Sequence, residues 1–369
     1  MAAEQGLRAK LAGLEASFRS QAPELVVFLV FDRPGRVDDR PGLERAMFRE
    51  RCLTEERLEA IVNALRDVGA WVSVFLGEDE FLSACAAGDL AVPGRSRSIV
   101  YNGIEGGIGH DGFAPGRKAL IPAVADSYGL PCANSNPYAC AIGRHKYHYF
   151  TLLRAHGISV PDVWHYRLDG SWAGDRRPAL GARVIAKSTY ESWSVGVSES
   201  SVFVVGEDLD QRVAVIADAI GQAVCVQAFV PGREVGVSVL VPDVPRAVPP
   251  IEVVLHKAPN DLDAIMTMED NLTSSAVSYQ PFEAAPEVIK EVERIAVECF
   301  RVLELGSFAR IDFRVAEDGT PWVSDVGVSP GLGPPGSSSF EALRALGFDH
   351  GEFIRVVLGA SLMSSGLLG

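Results

Sequence analysis

The sequence predicts an α/β protein of more than one domain, and three observations carry that reading. The first 130 or so residues alternate apolar strand signals with helix signals in β-α-β order. The middle of the chain carries strands of its own, two of them split by Pro231-Gly232. The last third holds a long helix and then a hairpin with two aspartates. At 369 residues and 39.5 kDa, the chain also exceeds one ordinary core.

Composition bounds the function. A hydrophobic share of 47% with 22% charged residues is a globular balance and excludes a disordered or fibrous chain. Acidic residues outnumber basic ones 48 to 34, which argues against a nucleic-acid partner while leaving room for a local basic pocket. The cysteines, at 52, 85, 132, 140, 225 and 299, form neither a CxxC pair nor a zinc spacing. They are expected to be free thiols in a reducing cytoplasm. No apolar run approaches the ~18 residues of a membrane span. The first twenty residues lack the apolar core of a signal peptide. Leu7, Leu11, Leu14 and Phe18 instead make one helical stripe, for packing within the chain or across a dimer.

In chain order, ELVVFLVF (24–31) reads as a buried strand, and Thr54 caps a helix that stops at Gly69. AWVSVFL (70–76) and SIVYN (98–102) are further strands, and a helix spans about 117–128. The glycine-rich stretch IEGGIGHDG (104–112) follows the third strand, where open parallel sheets place ligand loops. One helix is expected from Asn136 to His156. Strands follow near 163–167 and at 182–188, then a polar loop, a helix over 207–220, and two strands, AVCVQAFV and REVGVSVL. After IEVVL come a long stretch of little pattern (256–275), a helix from Pro286 to Leu305 and the hairpin. Loops as long as 256–275 are usually functional lids.

SFARIDFRVAEDGTPWVSDVG predicts two strands joined by a two-residue turn at Asp318-Gly319. That turn pairs Asp312 with Asp325, Arg310 with Gly327 and Arg314 with Val323 on one face. The other face, with Ile311–Val326, Phe313–Ser324 and Val315–Trp322, is largely apolar. Directly opposed carboxylates repel. A magnesium ion shared with substrate phosphates would offset the repulsion. So would Arg310 and Arg314 on a solvated face, and the hairpin alone leaves both open. VSPGLGPPGSSS follows at once, and so glycine-rich a stretch lets backbone approach a phosphate. Lys146 and Lys187, the latter ending an apolar strand, either snorkel to the surface or reach an anionic ligand. Ser192, Ser194 and Gly196 lie in the loop after Lys187 and suit triphosphate oxygens.

The ordered set Lys146, VIAKSTYESWSVG, VCVQAFVPGRE, ARIDF and DVGVSPG resembles the ATP-grasp ligases, and within them the D-alanine–D-alanine ligase group. The resemblance covers roughly residues 98–340, and its specificity lies in the order, since no single motif is rare. It implies an ATP-grasp fold with an N-terminal Rossmann-like domain (1–135), a central lid subdomain (136–230) and a C-terminal subdomain (231–369). It implies that Lys146 and Lys187 hold ATP phosphates and that the loop 190–196, with Ser192, Trp193 and Ser194, closes over them. Gln227, Phe229 and Val230 would face adenine, and Glu234 the ribose. Asp312 and Asp325 would ligate magnesium, or manganese in its place. Arg310, with Lys187 and Ser194, would serve catalysis, and Glu105, His110, Ser329 and Gly331 would line the substrate side.

The sequence departs from the family at four places. Gly327 stands where the second metal ligand is an asparagine, so a second ion needs water or Ser329. Gln227 replaces an acidic residue. Glu105 replaces a histidine, and FDRPGRVDDRPG replaces the glycine-rich loop that holds the first amino acid. The expectation is an ATP-dependent amino-acid ligase, cytoplasmic and homodimeric by analogy, acting in a specialised-metabolite pathway on small-molecule substrates. The alternatives are an ATP-binding regulator without turnover, a D-alanine–D-alanine ligase proper, and a two-domain small-molecule binder.

Overall fold

The computed structural model describes residues 2–32, 54–105, 116–273, 275–333 and 337–367. Its strands form three sheets. The first is wholly parallel: β1 (Leu25–Phe31), β2 (Trp71–Leu76), β3 (Arg97–Asn102) and β4 (Cys132–Ala133), in the order β2-β1-β3-β4. Every residue of β1 is buried, as a central parallel strand covered on both faces requires. Helix α1 (Ala2–Gln21) packs its Leu11–Leu14–Phe18 stripe within the chain. Its main partner is the last helix of the fold, Asp349-capped His350–Ser364, so the two ends of the chain close the core around the first sheet.

Thr54 caps α2 (Glu55–Arg66) as expected, accepting from Arg57 N at 3.3 Å. Two further helices, α3 (Glu78–Ala87) and α4 (Leu120–Ser127), flank the sheet. The single helix expected over 136–156 is two: α5 (Pro137–Ile142) and α6 (Lys146–Ala155). Gly143 lies so close to the segment after the hairpin that a Cβ there would sit 2.0 Å from Val328 Cγ1. The chain breaks its helix at this approach, and Lys146 becomes the first residue of a new one.

The second sheet has order β5-β8-β6-β7, from β5 (Val163–Tyr166), β6 (Arg183–Ser188), β7 (Val202–Val204) and β8 (Val224–Ala228). Helix α7 (Leu209–Ile220) covers its outer face through Val184, Ala186, Val224 and Val226. Strand alternation therefore turns Ile185, Lys187, Cys225 and Gln227 to the inner face. The third sheet runs β12-β11-β9-β13-β14, with β10 beside β9, from β9 (Arg233–Leu240), β10 (Arg246–Ala247), β11 (Ile251–Leu255), β12 (Val277–Pro281), β13 (Phe308–Val315) and β14 (Pro321–Gly327). A short helix α8 (Met268–Leu272) lies within the stretch that showed little pattern. The amphipathic α9 (Pro286–Val302) backs the third sheet, and α10 (Ser338–Ala345) precedes α11, the last helix. Cys225 and Val163 of the second sheet share a core with Val237, Ile311 and Val323 of the third, so the inner faces meet.

Cys85, Cys132, Cys140, Cys225 and Cys299 are free, and Cys52 lies outside the described residues. No helix among the described residues is long and apolar enough to cross a membrane.

Candidate functional site

The hairpin brings Asp312 and Asp325 opposite one another, with Arg310 opposite Gly327 and Ile311 opposite Val326. Beyond Asp312 the expected register fails by one residue: Phe313 meets Val323, Arg314 meets Trp322 and Val315 meets Pro321. The loop is the cause. Ala316 N bonds Thr320 O and Gly319 N bonds Ala316 O, both at 2.9 Å, and Gly319 sits at φ 85°. This is a three-residue loop ending in a left-handed glycine, not the two-residue turn the sequence suggested. Ser324 is then the extra residue of a β-bulge. The two departures cancel at the aspartates.

The bulge also serves the site, because Ser324 O accepts from Lys187 Nζ at 3.3 Å. Lys146 Nζ donates to Glu191 O and lies 3.9 Å from Asp325 Oδ1. Tyr149, one turn further along α6, donates its hydroxyl to the same oxygen at 2.6 Å. Burial opposes the charge of Asp325, but Lys146 and Lys187, then Tyr149, outweigh it and hold the carboxyl below its ordinary range. Burial likewise lowers the pKa of Lys187, with Asp325 opposing that shift. Arg310 grips Asp312 with two parallel bonds, Nε–Oδ1 at 2.6 Å and Nη2–Oδ2 at 2.8 Å. Burial would lower the Arg310 pKa; the Asp312 charge and its bonds reverse that and push it up. Arg314 does not neutralise the aspartates. It pairs with Glu234 at 3.0 Å and caps the carbonyls of Val230, Leu262 and Ala264.

The loop after Lys187 is held at both ends. Ser192 Oγ donates to Glu105 Oε2 at 3.2 Å, and Ser194 Oγ accepts from Asn271 Nδ2 at 3.0 Å. Trp193 between them (φ 60°) and Ser194 itself (φ 55°) are both left-handed, a strained state for a bulky side chain, and Trp193 is 41% exposed. The 256–275 stretch thus reaches across to this loop, and Met268 N also bonds Val197 O at 3.0 Å.

On the inner face of the second sheet, Gln227 is buried and its Nε2 has no protein partner, which leaves a donor for a ligand. Phe229 N bonds Arg183 O at 2.9 Å, and the Arg183 guanidinium lies 4.4 Å over the Phe229 ring. A depression at the hairpin tip, lined by Val230, Pro231, Leu262, Ala316, Glu317 and Asp318, includes none of the four charged residues Lys146, Lys187, Asp312 and Asp325.

Two of the four expected substrate-side residues have side-chain partners within the protein. Glu105 has both carboxylate oxygens engaged, Oε1 by Lys118 Nζ at 2.9 Å and Oε2 by Arg144 and Ser192. Ser329 Oγ donates to Asn102 O at 3.1 Å and accepts from Asn134 Nδ2 at 2.8 Å. It ties the first sheet to the segment after β14. Gly331 lies just beyond, and His110 lies outside the described residues. Sequence reading missed Tyr149, Glu191, Arg117 and Gln222. Tyr149 alone left a signal, three residues after Lys146 and so on nearly the same helix face.

His145, the residue before Lys146, stacks on His148 with ring centroids 3.4 Å apart and meets His165 edge-on at 5.0 Å. Burial first, and then the like charges of neighbouring groups, push His145 down to about 3 and His165 to about 4. An unfolded imidazole titrates near 6.5, so between about pH 6.5 and 4 the unfolded chain binds more protons than the folded one. Stability is therefore expected to fall as pH drops through that window. A Tm series from pH 7.5 to 5 checks this, and His165→Asn should flatten the slope.

Comparison with known proteins shows the family. Residues 152–358, more than half of the chain, match the family described as D-ala D-ala ligase C-terminus. The chain belongs to that family. Among curated relatives, the D-alanine–D-alanine ligase of Synechococcus sp. (strain JA-2-3B'a(2-13)) is 27% identical over 259 residues, 69% of this chain and 75% of the relative. That of Cupriavidus taiwanensis is 28% identical over 278 residues, 74% and 78% of the two chains. The D-alanine–D-alanine ligase of Bacillus anthracis, solved in complex with ATP, superposes with a TM-score of 0.66 at 16% identity, covering 93% of this chain and 99% of that one. The Coxiella burnetii enzyme gives 0.61, also at 16% identity, over 94% and 96%. These likenesses establish the ATP-grasp fold. Membership in the family makes the chain an ATP-dependent, ADP-forming carbon–nitrogen ligase.

Proposed function

We propose that the protein joins the carboxylate of one amino acid to the amine of another through an acyl phosphate, and that its pair is not two D-alanines. The observation that supports the chemistry is the convergence of Lys146, Lys187 and Asp325 beside the Arg310–Asp312 pair. A substrate carboxylate attacks the γ-phosphate, releasing ADP. The amine then attacks the acyl carbon, and phosphate leaves. Lys146 and Lys187 hold the phosphates, Gln227 meets the base through its buried amide, and Glu234 faces the ribose. Arg310 stabilises the oxyanion of the tetrahedral stage. Ser194 and Trp193 close the loop over the phosphates, and Gly331 contributes backbone on the substrate side.

The donor set fits magnesium. Asp312 and Asp325, paired across the hairpin, would supply hard oxygen ligands from one face, with Arg310 sharing the Asp312 oxygens; no group of three His, Cys, Asp or Glu able to hold a metal occurs among the described residues. Two carboxylates completed by phosphate oxygens is how magnesium is commonly bound at such sites. Bound there, the ion would neutralise triphosphate charge; manganese would fit the same donors.

The altered first-substrate segment and Glu105 motivate a pair other than D-alanine, and with it a role in specialised metabolism. The second reading, a D-alanine–D-alanine ligase proper, is favoured by the curated relatives. A cytoplasmic homodimer completes the proposal. The test is phosphate release from ATP with a panel of amino-acid pairs that includes D-alanine alone. Turnover is expected with a pair other than two D-alanines. Turnover with D-alanine only favours the second reading. ATP binding without release for any pair would leave an ATP-binding regulator.

A further inference from the structure

Glu191 has a fully buried carboxylate in the middle of a polar loop, and burying an acid there is costly unless partners offset it. Its partners come from different parts of the molecule. Arg117, whose side chain is 4% exposed, donates from Nη2 to Glu191 Oε1 at 2.7 Å; it lies in the short turn between the first sheet's glycine-rich stretch and α4. Gln222, at the joint between α7 and β8, donates to the same oxygen at 3.2 Å. The other end of that amide accepts from Tyr190 N at 3.0 Å, so Gln222 holds two successive residues of the loop.

The backbone of this segment in turn holds Lys146. The Glu191 carbonyl accepts from Lys146 Nζ, and Thr189 O accepts from Lys146 N at 3.1 Å. The phosphate-side lysine is thus fixed at both its ammonium and its backbone to a segment that the buried Glu191 carboxylate helps to hold. Glu105 reinforces the arrangement from the N-terminal side through Ser192.

We propose that Glu191 is a positioning residue: its buried pair with Arg117 docks the loop on the N-terminal unit and thereby sets the Lys146 ammonium for the ATP phosphates. The inference rests on the ATP-ligase reading and deepens it. Glu191 acts through Lys146, so its loss is felt at the phosphates and not at the base.

Two variants test it, Glu191→Gln, which keeps the shape and removes the charge, and Arg117→Lys, which keeps the charge and removes the fork, measured by steady-state kinetics, by calorimetry with ATP and with adenosine, and by Tm. Each is expected to raise KM for ATP about tenfold, the scale seen when a supporting partner of a site residue is lost, while adenosine affinity stays within about twofold. Arg117→Met combined with Glu191→Gln should be no worse than Glu191→Gln alone, because the two act as one pair. Parallel loss of ATP and adenosine affinity would overturn the inference, as would wild-type KM for ATP with only a lowered Tm. A wild-type protein that binds no ATP would instead overturn the ATP reading itself. Wild-type ATP binding left unchanged in Glu191→Gln would overturn this inference alone.

Discussion

Asp325→Asn is expected to lower kcat/KM by at least about 100-fold, the scale on which removing one preorganised electrostatic group slows an enzyme. Three groups depend on this carboxylate: Lys146 at 3.9 Å, Tyr149 at 2.6 Å and, through their shared electrostatics, Lys187. An amide keeps the shape, and it keeps an acceptor for Tyr149. It removes the charge that faces both lysines and the hard oxygen that fits a divalent cation. The signature is specific. Without magnesium, ADP should bind the variant at least as well as the wild type, since one negative charge near the phosphates is gone. With magnesium, the wild type should gain affinity and the variant should not. Calorimetry with ADP at both conditions decides it, and a variant that keeps the magnesium-linked gain would contradict the assignment.

Arg310→Lys is expected to reduce kcat by about 10² to 10³ while KM for ATP moves less than about threefold. The guanidinium spans Asp312 with two parallel bonds of 2.6 and 2.8 Å, which an ammonium cannot reproduce. Charge is retained in the variant, so a loss in kcat reports the fork geometry and the oxyanion it serves. It also leaves Asp312 less firmly oriented. A kcat within about threefold of wild type would remove Arg310 from the chemical step.

The parts of this site that sequence revealed are those governed by short-range rules. β1 reads as seven consecutive buried residues because a parallel strand covered on both faces needs no polar alternation. Asp312 and Asp325 could be paired on paper because a hairpin's register follows from its turn, and two compensating irregularities, a longer loop and the Ser324 bulge, left that pair intact. The same reasoning failed one and two residues away, at Phe313 and Arg314, where only the loop error acted. Lys187 stood out because a lysine ending an apolar strand is unusual, and Lys146 through its place in the ordered motif set. The break at Gly143 was not legible, because its cause is Val328, far along the chain. Nor was the role of Glu191, whose partner Arg117 precedes it by 74 residues, or the engagement of Glu105 by Arg144 and Lys118. Ion pairs assembled by tertiary contact leave no periodicity to read.

The central claim is that the two opposed aspartates of the hairpin hold the metal that accompanies the nucleotide. Anomalous diffraction from a crystal grown with ADP and manganese tests it directly. The account predicts an anomalous peak between the Asp312 and Asp325 carboxylates with phosphate oxygens completing the sphere. A peak elsewhere, or ADP bound with no peak at these residues, would contradict it.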